Sequence, residues 1–122
     1  MERKPDLELK ALKTFIGTQN YHNVMGVNVT DGVKYIMENG YSWFVTDAIS
    51  LITAHPKVKE YLKTESFLVV RLDVDYENSE ADLILEDGND NEIYRQHYGF
   101  TDAKRSVTLY YCPPVLMLSS EY

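Results

Sequence analysis

A chain of 122 residues, 44% hydrophobic and 25% charged, fits one folded domain spanning 1–122 and excludes a wholly disordered polymer. Its net charge of −7 argues against direct nucleic-acid binding, because phosphate contacts need a cationic face. A single cysteine, Cys112, excludes an intrachain disulfide, and the lack of both a signal-like N-terminus and a long apolar run predicts a soluble cytoplasmic protein with no membrane partner.

In chain order, Leu7, Leu9, Leu12 and Phe15 recur at approximate helical spacing, with Pro5 suited to the first turn. The polar run 17–23 breaks that pattern, and Val24–Val29 reads as one short strand. Thr30-Asp31 offers an N-cap for a helix whose apolar stripe is Val33, Ile36 and Met37, stopped at Asn39-Gly40. A second helix runs from about Ser42 to Ala54, and Pro56 ends it or opens a further turn through Leu62.

The second half changes period. Ser66–Tyr76 ends in alternation, with Leu72, Val74 and Tyr76 on one face and Asp73, Asp75 and Glu77 on the other, as in a strand with one wet face. Ala81–Glu86 and Glu92–Tyr98 read as strands joined by the Asp87–Asp90 hairpin turn. Arg105–Tyr111 follows, and beyond Pro113-Pro114 the run Val115–Leu118 reads as a short edge strand. Helices first and strands second predict an α+β fold, with N-terminal helices packed on a four- to five-stranded antiparallel meander.

Charge is concentrated. Between Asp73 and Glu92 lie nine acidic residues and no lysine or arginine, so the other 102 residues sum to about +2. A one-sign patch of this density favours cationic partners. Alternate carboxylates on one strand would sit about 7 Å apart, near the spacing of phosphates along a nucleic-acid strand. The candidate partner-binding residues are therefore Asp73, Asp75, Tyr76, Glu77, Glu80, Asp82, Glu86 and Asp87. Tyrosine is also abundant, at 10 residues, and suits either strands or interfaces.

Motifs for chemistry are sparse. His22, His55 and His97 have no metal-ligand spacing, and Asp87, Asn89 and Asn91 begin like a calcium loop whose position twelve falls on Tyr98 instead of a glutamate. No nucleophile elbow or phosphate-binding loop occurs, so no catalytic residue, metal or cofactor is assigned. Cys112 reads as a packed thiol, and His97 with Asp102 as at most a structural pair. On a helix from Thr30, Asp31, Lys34 and Tyr35 share a face, while Asp47 lies one turn beyond Trp43; together these five mark a candidate small-ligand pocket.

The blocks Thr30-Asp31-Gly32-Val33-Lys34-Tyr35, Trp43, and Asp47-Ala48-Ile49 resemble a family of small uncharacterised bacterial, plasmid and phage proteins with a TDG-x-KYL, tryptophan, DAI pattern. Leu12–Phe15, Thr18–Tyr21 and the tail Ser120-Glu121-Tyr122 extend the resemblance over nearly the whole chain, although Ser42 splits the aromatic pair Tyr41 and Trp43. The resemblance implies a mobile-element setting, in which small acidic proteins bind and block host machinery. With the acidic strands, it leads to the expectation of a non-enzymatic inhibitor of a host protein with a basic nucleic-acid-binding surface, such as a CRISPR effector. A ligand-binding or enzymatic domain built on the candidate pocket, and a homodimer or larger homo-oligomer joined through tyrosines, are the alternatives.

Overall fold

The computed structural model of the protein describes residues 20–122. The expected helix at Leu7–Phe15 lies outside the described residues. Seven strands form one mixed sheet in the order β1-β2-β7-β6-β3-β4-β5. They are β1 (Tyr21–Val24), β2 (Val27–Thr30), β3 (Leu68–Asp75), β4 (Glu80–Glu86), β5 (Glu92–Tyr98), β6 (Val107–Cys112) and β7 (Val115–Leu118). Three helices, α1 (Asp31–Ile36), α2 (Ser42–Ala54) and α3 (Pro56–Leu62), lie between β2 and β3 in the chain.

This corrects the expected meander of four or five antiparallel strands preceded by helices. One cause is the pairing of β6 with β3, antiparallel from Leu68 opposite Tyr111 to Leu72 opposite Val107, so that β6 does not follow β5 in the sheet; the other is local to Val24–Val29. Met25 (φ 52°) and Gly26 (φ 89°) both take left-handed backbone, so this run is a two-residue hairpin turn between β1 and β2 and not one strand. The hairpin precedes the helices, and β2 returns to pair in parallel with β7 through Asn28 opposite Val115 and Val29 opposite Leu116. The Asn28 N–H donates to the Pro114 carbonyl at 3.1 Å, extending that junction. Strand β7 is therefore internal, flanked by β6 and β2, and not the sheet edge that its short length and preceding prolines suggested.

The helices follow their sequence signals more closely. Thr30 caps α1, its Oγ1 accepting from the Val33 N–H at 3.3 Å. Asn39 and Gly40 (φ 100°) leave helical geometry and kink the chain into α2, while Asn39 Nδ2 donates to the Tyr35 carbonyl at 2.8 Å. Helix α2 buries Phe44, Val45, Ala48, Ile49 and Ile52, one broad stripe at helical spacing. His55 then turns extended and caps α3, whose first residue is Pro56.

That stripe packs with Leu68, Val70 and Leu72 of β3, Leu83 and Leu85 of β4, Leu109 of β6 and Leu116 of β7 in one core. Side chains of the other parity form the opposite, polar face of the sheet, where Arg71, Ile84 and Arg95 stand in register across β3, β4 and β5. Ile84 is buried there between two arginine stems. Among the described residues, no helix is long and apolar enough to cross a membrane.

Candidate functional site

On the polar sheet face, β3, β4 and β5 set six carboxylates (Asp73, Asp75, Glu80, Asp82, Glu86 and Glu92) beside two arginines. Asp73 is directly opposite Asp82, and Asp75 directly opposite Glu80. Like charges in these positions oppose strand pairing. Compensation comes from just outside the acidic segment. Arg71 bonds Asp73 and Glu86, each at 2.9 Å, and Arg95 bonds Asp82 at 2.8 Å and Glu92 at 2.9 Å. A groove of about 240 Å³ between the two opposed pairs is lined by Asp73, Asp75, Glu80, Asp82 and His97.

His97 is the basic side chain that lines this groove. Its Nδ1 lies 2.7 Å from Asp82 Oδ1, and its Nε2 lies 3.4 Å from Glu80 Oε1. The hydrogen bond to Asp82 raises the imidazole pKa, and the charges of Asp82 and Glu80 add to it. His97 thus pairs within the acidic groove and not with Asp102. Because the folded pKa is raised, its stabilising contribution is full below the unfolded value of about 6.5 and disappears as pH rises through the folded pKa. The melting-temperature gap between wild type and His97→Gln should therefore be wider at pH 5 than at pH 8. A gap that does not change with pH would contradict the pairing.

The remaining predicted acidic-surface residues have separate positions. Strand β3 ends at Asp75, so Tyr76 and Glu77 are exposed in the β3–β4 turn and Glu77 does not continue the row of Asp73 and Asp75. Asp75 holds that turn through Asn78, whose side chain donates at 2.7 Å, and this bond lowers the carboxyl pKa. Asp87 organises the β4–β5 turn by accepting from the Asn89 N–H at 2.7 Å and from Asn91 Nδ2 at 2.8 Å, contacts that lower its own pKa. Among the described residues, no group of three His, Cys, Asp or Glu side chains is arranged to hold a metal ion.

The five residues of the candidate ligand pocket divide between two places. Trp43 and Asp47 of α2 meet β5. The Tyr98 hydroxyl donates to Asp47 Oδ2 at 2.7 Å and accepts from Gln96 Nε2 at 3.2 Å, and the Tyr98 ring meets Trp43 edge-on at 4.9 Å. Burial, then the bond to Asp47, pushes the Tyr98 phenol far up, so it remains a donor at all ordinary pH values. Trp43 Nε1 donates to the Gly40 carbonyl at 2.9 Å, closing the kink before α2.

Asp31, Lys34 and Tyr35 lie on α1, which packs against β1, β2 and β7 at the far end of the strand order from β5. Asp31 accepts from the Asn20 N–H at 3.3 Å and pairs with His22 Nε2 at 2.9 Å. Lys34 is exposed, and Tyr35 packs half-buried against the core.

A second group at α1 comes from the chain's last residues. Glu121 Oε1 accepts from the Thr30 hydroxyl at 2.6 Å and from the Leu118 N–H at 2.9 Å, while Oε2 accepts from the Gly32 N–H at 3.3 Å. Tyr122 packs edge-on against Phe67 and Tyr110, with ring centroids 5.6 and 5.3 Å away. The tail is thus a latch on the start of α1, and Thr30 and Gly32 have structural reasons for their identities. Cys112 is half-buried, and burial raises its thiol pKa, away from the thiolate needed for reactivity.

A profile of a family of unknown function, DUF6876, matches residues 6–122. The chain belongs to that family. No curated protein matches the chain, and no solved structure does. The family carries no assigned activity.

Proposed function

We propose that this protein is a non-enzymatic binding module whose acidic sheet face engages a cationic protein surface of the kind that handles nucleic acid, and that occupying that surface inhibits the partner. The observation that carries this reading is the juxtaposition of Asp73 with Asp82 and of Asp75 with Glu80. Opposed carboxylates weaken a sheet by themselves, whereas a partner's arginines placed between them would be held by several carboxylates together. The face is built on paired strands, so its charges are presented at fixed spacing without first ordering a loop. Exposed Tyr76 beside it supplies apolar contact area. Such a protein would act in the cytoplasm, as part of a mobile element that blocks host defence machinery such as a CRISPR effector.

The test is capture from a bacterial lysate on the immobilised full chain over a series of salt concentrations. Charge-driven binding should retain proteins with basic nucleic-acid-binding surfaces at low salt and release them as ionic strength rises. Retention that is indifferent to salt, or of proteins without a basic face, would overturn the reading.

A further inference from the structure

Beside the Trp43–Tyr98 contact, on the opposite side of β5 from the acidic groove, is a recess of about 230 Å³ lined by Trp43, Tyr98, Phe100, Thr101 and Asp102. Three of these five side chains are aromatic, one is a carboxylate and none is cationic. The Trp43 and Tyr98 rings stand at 77° to one another and make a corner. Phe100 is 69% exposed, so its ring is open to a bound group.

Its placement is not the result of a loose loop. The next residue, Thr101, is buried; its N–H donates to the Ser79 carbonyl at 2.7 Å, and its Oγ1 accepts from the Ala103 N–H at 3.1 Å. Further along the same loop, the Tyr41 hydroxyl donates to the Arg105 carbonyl at 2.9 Å and accepts from the Arg105 N–H at 3.2 Å. The loop carrying Phe100 and Asp102 is thereby anchored between them at Thr101 and again beyond them at Arg105 before anything binds.

We propose that this recess is a binding site for a single arginine side chain of a partner protein. Aromatic faces carry negative potential and attract a cation placed over them, and a planar guanidinium stacks on such a face better than a compact ammonium does. The carboxylate of Asp102 supplies the second element, two acceptor oxygens suited to a forked donor. A neutral apolar occupant would strip water from Asp102 and give it no partner, a cost that an arginine avoids. The site is distinct from the acidic groove and does not depend on it.

Trp43 is the single tryptophan of the chain, so its indole N–H gives one resolved signal in a 1H–15N spectrum of the full-length protein. Titration with acetyl-Gly-Arg-Gly-amide should shift that signal to saturation, and the citrulline peptide, a neutral isostere, should not. The lysine peptide should bind several-fold more weakly. Phe100→Ala, at a position too exposed to threaten folding, should weaken the arginine peptide on the order of tenfold. Asp102→Asn should weaken it several-fold. Equal shifts from the arginine and citrulline peptides, no shift from either, lysine binding as tight as arginine, or full affinity in Phe100→Ala would each overturn the assignment. Since the readout is at Trp43, failure here is distinct from failure of lysate capture by the acidic face.

Discussion

Truncation of Leu116 to alanine should destabilise the protein by about 2–5 kcal/mol. Leu116 is fully buried in the middle of β7, with Tyr111 of β6 opposite it on one side and Val29 of β2 on the other. In an edge strand one of those flanks would be open, and the neighbours could relax into the space left behind. Here both flanks are strands, so a cavity remains. Met117, on the other face of the same strand, is only partly buried, and its truncation should cost clearly less. Urea unfolding of the two variants decides the point: similar losses for Leu116→Ala and Met117→Ala would contradict the internal placement of β7.

Gly32→Ala is the second large effect, and its sign is informative. Inside a helix, alanine is better than glycine by up to about 1 kcal/mol on propensity alone. At Gly32, however, a Cβ would stand 2.6 Å from Glu121 Oε1, 2.6 Å from Leu118 Cδ1 and 2.8 Å from Leu118 Cγ. Glu121 is held there by Thr30, Gly32 and Leu118, and Leu118 belongs to the core, so neither can give way without breaking the latch. Overpacking of this kind costs about 1–3 kcal/mol. Destabilisation in thermal unfolding is expected, accompanied by loss of the Glu121 contacts. Stabilisation by alanine would show that the tail does not seat on α1.

Much of the fold was legible from local pattern. The α2 stripe and its bounds, the cap at Thr30, the Pro56 helix start, and strands β3 to β5 with the Asp87 turn all follow from signals within a few residues of each other. What the sequence concealed was long-range. The parallel pairing of β2 with β7 joins segments nearly ninety residues apart along the chain, and no local periodicity announces it. The β1–β2 hairpin was hidden because Met25, which carries no turn signature, takes a left-handed conformation beside Gly26.

The candidate sites divide in the same way. The acidic cluster was visible as composition, but the pairing of its members with Arg71, Arg95 and His97 follows from strand register, which brings residues outside the acidic run onto the same face. Trp43 and Asp47 each contact Tyr98 of β5, and Phe100, in the loop after that strand, lines the recess beside Trp43. The one sequence signal of Tyr98 and Phe100 was that they form an aromatic pair flanking Gly99. Asp31 and Lys34 separate from Trp43 and Asp47 because the kink at Gly40 sends α1 and α2 to different parts of the sheet.

The decisive comparison is between the wild-type chain and a variant with Asp73→Asn, Asp75→Asn and Glu80→Gln, each immobilised and exposed to the same lysate at low salt, with melting temperatures taken on the same preparations. The variant should remain folded and lose the captured basic proteins. A folded variant that still captures the same proteins would show that the acidic face is only a solvated surface.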